Sequence, residues 1–273
     1  MNRAECAVTQ SAQRARGAWR ACRGLSQAQA ERWSRQLKAL IASLSTYALI
    51  AMATAASAAP GSASEEEPPQ STATFLAAAP RCASPDLRLS LRTHIVYRGG
   101  EPVVSPAWLR EQLQEANRLF RPLKLCFQLT EVQELPAALW RVRSRSMRSS
   151  IGLPRRLRGA IDLFVIGRLD DVDIAGEEIR GVHWRHPRDR ERLRWIFLSR
   201  IAAAKVLAHE LGHYFDLPHS TAPQSIMNKT PRATPPPAAR GFTRSEYQRM
   251  RRAWRRMRGS GHLQVLAPPS LEE

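Results

Sequence analysis

Absences narrow this sequence first. Only 4 of its 273 residues are cysteine, and no two stand in a CxxC or zinc-ribbon spacing, so cysteine-based metal binding is not indicated. Aromatic residues make up 7% of the chain, and no array of aromatics interleaved with basic residues offers a base-stacking platform. No specific nucleic-acid partner is therefore implied. Lysine is scarce: the 42 Lys+Arg are almost all arginine and face 24 Asp+Glu, for a formal charge of +18. A GC-rich genome produces such a bias, and its physical consequence is weak attraction of polyanions to arginine-rich surfaces. Internal repeats are absent.

Long apolar runs are also lacking, with one exception. Residues 39–56, ALIASLSTYALIAMATAA, follow Arg32, Arg35 and Lys38 and precede Ala56-Ser57-Ala58-Ala59. That order of positive, apolar and small-residue segments is that of a signal peptide, which makes the chain secreted or periplasmic. The 38 residues ahead of the run are long for a leader, and an uncleaved anchor with a cytoplasmic tail is the alternative. Export would leave Cys82 and Cys126 as an even pair in an oxidising compartment, so a disulfide between them is expected. The expected organisation is a basic tail over 1–38, the signal or anchor segment over 39–59, a flexible Ala/Ser/Pro/Glu linker over 60–81, a folded domain over 82–258 and a tail over 259–273.

Within the domain, Leu87, Leu89 and Leu91 alternate with polar residues and lead through Ile95-Val96-Tyr97 to Gly99-Gly100, a strand and turn. Ser105-Pro106 starts a helix that carries Leu109, Leu113, Ala116 and Phe120 at helical spacing. Strands are predicted over 123–129, 161–166 and 195–198, with a short edge strand near 179–185. The Arg- and Ser-rich stretch 141–158 reads as an exposed insertion. Carboxylates between Asp170 and Glu178 fit a solvated loop that offsets nearby arginines; Ca2+ there is the lesser reading, since the spacing is not that of an EF-hand. Helices are predicted over 202–214 and 244–257, the second opened by a Thr243/Glu246 capping box. The order places the domain in the α+β or α/β class with one mixed sheet.

The decisive stretch runs from Val206 to His219, VLAHELGHYFDLPH. In a helix His209 and His213 share one face and can present two imidazole nitrogens to one ion. Glu210, beside the first of them, can take a proton from a water that the ion activates. Pro218 ends the helix, so the chain can turn and bring His219 round as a third ligand. Three ligands leave a fourth position open, which suits a catalytic zinc.

The HExxHxxxxxH pattern, with Ser225-Ile226-Met227 after it, resembles the metzincin metallopeptidases. Segments 93–100 and 105–129 and the final helix are similar to pappalysin-like and cytophagalysin-like members. The resemblance implies an α+β fold whose mixed sheet is mostly parallel, with an active-site helix and a C-terminal helix, and one catalytic Zn2+. It implies that Met227 packs beneath the metal without binding it. It also implies a peptide or protein substrate extended along an edge strand that includes Gly181, Val182 and His183, and a monomer is expected. Three departures stand out. Asp216 occupies the place of a usual glycine in a left-handed turn, Lys229 stands where some members carry tyrosine, and the 141–158 stretch has no counterpart. Residues 80–86 also resemble a cysteine switch, in which Cys82 would occupy the open metal position. Rival readings are an inactive metzincin-fold binding protein and a polyanion-binding module.

Overall fold

The computed structural model describes residues 71–83, 86–186, 193–230 and 234–267. All of them belong to the second of two compact units, Glu67–Glu273. The basic tail, the apolar run and the linker up to residue 70 lie outside the described residues. Among the described residues no helix is long and apolar enough to cross a membrane.

The first element is already a departure from expectation. Helix α1, Thr72–Ala78, lies inside the expected linker, and its Phe75 is buried in the main core. One large aromatic side chain is enough to dock a short helix that has little intrinsic stability. Strand β1, Leu87–Arg98, is buried along most of its length because both faces of the sheet are covered. It turns at Gly99 and Gly100, with φ of 66° and 87°, into the two-residue β2, Glu101–Pro102. Helix α2, Pro106–Phe120, starts on Ser105, whose hydroxyl accepts from the Trp108 N–H. Lys124, at φ 57°, then reverses the chain into β3, Leu125–Leu135, which runs parallel to β1.

Strand β4, Arg141–Val142, and helix α3, Arg145–Gly152, occupy the stretch expected to be an exposed insertion. Ile151 and Arg148 are buried there, so the segment covers the second face of the sheet. Three more strands complete the main sheet: β5, Ile161–Ile166; β7, Gly181–Arg185; and β8, Arg194–Ser199. The pair β6, Arg168–Leu169, with β4 forms a separate ladder. The main order is β3-β1-β5-β8-β7, parallel except for β7, which is antiparallel to β8 at the edge; the short β2 adds an antiparallel pair at the end of β1. The architecture is thus α+β with a mixed, mostly parallel sheet.

Helices α4, Val206–Tyr214, and α5, Arg244–Gly259, pack with α1 and α2 against one face to form the larger core. α5 has the predicted capping box of Thr243 and Glu246. Beyond it, Leu263 is buried and pairs with Gly159, while Val265 bridges Leu89. That part of the expected C-terminal tail belongs to the domain; residues 268–273 lie outside the described residues. Cys82 and Cys126 form a disulfide that staples the segment after α1 to the start of β3.

Candidate metal centre

The site begins with how α4 is held. Gln112, fully buried on α2, accepts from the Leu207 N–H at 3.0 Å and donates to the carbonyls of Ala202 and Ala203 at 3.1 and 2.8 Å. A neighbouring helix thereby caps the first turn, whose own Lys205 offers no side-chain cap. The sequence held a signal for this: a glutamine on the apolar face of an otherwise amphipathic helix.

His209 and His213 lie one turn apart on α4. The helix then ends through Asp216, at φ 64°, with the Leu217 N–H returning to the Gly212 carbonyl at 3.0 Å. This left-handed turn carries the chain past Pro218 to His219. One potential ligand atom from each of His209, His213 and His219 lies within 4.8 Å of the others.

Two of the rings are fixed by the backbone. Nδ1 of His209 lies 2.7 Å from the Ile226 carbonyl, and Nδ1 of His213 lies 2.7 Å from the Leu217 carbonyl. Each must donate there, which leaves each Nε2 with a free lone pair. Burial lowers the pKa of all three rings, His213 to about 4; the charge of Lys229 adds to the effect at His219. Neutral, oriented imidazoles converging on one point are the donor set that a zinc ion needs, so the residues fit the metal. Lys229 itself is exposed.

Met227 is fully buried below this cluster, against Gly212. A Cβ on Gly212 would lie 2.6 Å from the Met227 sulfur, so the helix and the turn approach this closely only through glycine. The turn is secured by Ser225, whose hydroxyl accepts from the Met227 N–H at 3.0 Å and donates to Glu246 at 2.7 Å. Glu246 is also the capping residue of α5, so one carboxylate ties the methionine turn to the last helix.

Glu210 points the other way, towards β7. Its side chain is buried, and Oε2 accepts from the His183 N–H at 2.6 Å. Burial pushes its pKa up to about 8, against the opposing effects of that N–H and of the Arg148 guanidinium. Among the described residues Oε1 takes no hydrogen bond. Because Arg180 and His186 pair with β8, alternation turns the peptide groups of Gly181, His183 and Arg185 towards the open edge. The edge strand therefore faces the site, although its His183 N–H is already used by Glu210.

Composition and spacing did not disclose what surrounds Asp216. Its Oδ1 accepts from Arg185 at 2.9 Å and Arg194 at 3.0 Å, and its Oδ2 from Arg256 at 2.7 Å. The Asp216 carbonyl takes a further bond from Arg249 at 2.8 Å. Burial alone would raise the pKa of this carboxyl; the arginines, Arg194 foremost, outweigh it and hold the pKa below the usual carboxylate range. In the acidic loop, Asp170 binds Arg141 and Arg168, and Asp173 binds Arg145. The disulfide occupies the sulfur that a cysteine switch would require free.

No family model and no curated protein matches the chain. Solved structures do. Mirolysin in complex with a compound aligns over 62% of this chain and 91% of its own, at 13% identity and a TM-score of 0.45. Promirolysin from Tannerella forsythia aligns over 72% and 91%, at 12% identity and 0.47. Archaemetzincin from Methanopyrus kandleri aligns over 62% and 96%, at 15% identity and 0.41. These neighbours are metzincin-type metallopeptidases.

Proposed function

We propose that the protein is an exported zinc-dependent endopeptidase, with His209, His213 and His219 holding the ion and Glu210 moving the proton. The observation that carries this reading is the convergence of three imidazoles, two of them oriented by backbone carbonyls, beside a buried carboxylate at the edge of a sheet. When bound, zinc supplies a Lewis acid that polarises the scissile carbonyl and acidifies a water.

The remaining work belongs to the protein. Glu210 Oε1 is the oxygen left to accept a proton and return it to the leaving amine, while the His183 N–H fixes the other oxygen. A buried carboxyl whose ionised and neutral forms are close in energy near neutral pH can do both. The outward peptide groups of Gly181 and Arg185, with the His183 carbonyl, align an extended peptide by adding a strand to β7. The Cys82–Cys126 disulfide supports export, because such bonds persist in oxidising compartments.

The test is metal content and peptide hydrolysis by the wild type, His213→Ala and Glu210→Gln. We expect about one zinc per wild-type chain, as three ligands and an open position imply, and loss of zinc in His213→Ala. Glu210→Gln should retain zinc while hydrolysis falls by about 10²–10⁴-fold. A folded wild type that takes no zinc, or hydrolysis unaffected by Glu210→Gln, would overturn the reading.

A further inference from the structure

Beside His213 the surface opens into a cavity of about 640 Å³ whose walls are unusually basic. Four arginines line it, Arg185 from β7 and Arg249, Arg252 and Arg256 from α5, against the single carboxylate of Asp216. Positions 249, 252 and 256 fall on one face of α5, so the helix presents three guanidinium groups to the same space.

Their arrangement is built. Asp216 holds Arg185 and Arg256 by its carboxylate and Arg249 by its carbonyl, while Arg194 supports it from the buried side. Each guanidinium carries five N–H donors, and one carboxylate cannot saturate or neutralise three or four of them. Arg252 has neither a hydrogen bond nor an ion pair among the described residues and is exposed at the wall. Fixed like charges in a concave site focus a positive potential there. His183 and His213 line the same space, so it lies directly beside the proposed metal ligand and the edge strand.

We propose that this cavity is an anion-recognising subsite that takes the side-chain carboxylate of an aspartate or glutamate near the scissile bond. The proposal rests on the peptidase reading above and adds the substrate class. Arg185 sits at the end of β7, so a peptide paired along that strand would bring a neighbouring side chain over the arginines. Arg252 supplies the unengaged donors, and Asp216 keeps the other guanidinium groups in place.

The experiment uses the zinc-loaded protein and quenched fluorogenic peptides that differ only in carrying Glu, Gln or Lys at one position, each with a free or an amidated C-terminus. Wild type is compared with Arg252→Glu and with Arg251→Glu, a control on the same helix whose exposed side chain does not line the cavity. We expect Glu to be preferred over Gln by about tenfold or more in kcat/KM at one position, as a charge-assisted hydrogen bond implies. The ratio should collapse or invert in Arg252→Glu and persist in Arg251→Glu. Equal cleavage of all peptides would overturn the subsite and leave the peptidase standing. An equal loss in Arg251→Glu would also overturn it, because diffuse charge open to any polyanion would then suffice. A preference confined to free C-termini would overturn the side-chain assignment. If the wild type cleaves nothing, the peptidase reading falls, and fluorescence anisotropy of labelled Glu and Gln peptides decides the subsite alone. Glu-selective binding lost in Arg252→Glu sustains it, and binding without selectivity overturns it.

Discussion

Oδ2 of Asp216 accepts a hydrogen bond from Arg256 at 2.7 Å, which ties the left-handed turn after the histidine helix to α5. The same carboxylate accepts at 3.0 Å from Arg194, whose side chain is only 5% exposed. Asp216→Gly would relieve about 1 kcal/mol of left-handed strain but remove the carboxylate bonds to Arg185, Arg194 and Arg256, which is the larger effect. We expect both Asp216→Gly and Asp216→Asn to lower stability by about 2 kcal/mol in denaturant titrations. Because the folded pKa of Asp216 is depressed, its contribution is present above the ordinary carboxylate range and is lost as pH falls below that range through the lowered folded value. The wild type should therefore converge on Asp216→Asn in acid.

Metal release should be late on acidification. Zinc binds only unprotonated imidazole, and burial holds His213 near a pKa of about 4 instead of the ordinary 6.5. Protons thus compete weakly for His213 until the pH falls well below 6. A chromogenic chelator should report release mostly between about pH 6 and 4. The metal-free fold should lose stability over the same window, since the unfolded histidines bind more protons there.

Gly212→Ala tests the contact beneath the histidines. The added methyl would meet the Met227 sulfur at 2.6 Å, so helix and turn must separate. A loss of about 1–3 kcal/mol is expected from thermal unfolding, with weakened zinc binding because the His209 ring hangs on the Ile226 carbonyl of that turn.

Removing the disulfide should loosen α1 first. Cys82 and Cys126 are 44 residues apart, and closing a loop of that length stabilises the fold by about 3–4 kcal/mol in the chain-entropy view. In the Cys82→Ala, Cys126→Ala protein, hydrogen exchange should rise in Thr72–Ala78, which is anchored otherwise by Phe75 alone among large buried residues. Exchange that rises only in the sheet would count against this placement.

Local periodicity made much of the fold legible. The buried run 161–166, the alternation after Leu87 and the Thr243/Glu246 box announce their elements because strand and helix periods and caps are short-range properties. The histidine spacing was equally local, since one turn of helix places His209 beside His213. The stretch 141–158 misled because its arginines hide two apolar anchors, Val142 and Ile151, and because Arg148 is buried against expectation. The linker misled in the same way at Phe75, where a single ring outweighs a polar composition.

By itself the sequence determined which histidines converge, His209 and His213 by helix geometry and His219 by the proline stop, with Glu210 beside them; the place of Met227 came from the metzincin resemblance. Tertiary structure alone decided what surrounds them. Gln112, from α2, caps the histidine helix, the His183 N–H fixes Glu210, and Arg185, Arg194 and Arg256 gather on Asp216 from β7, β8 and α5. Those partners are distant along the chain, and no local period encodes a contact made only when the sheet and the last helix close around the turn.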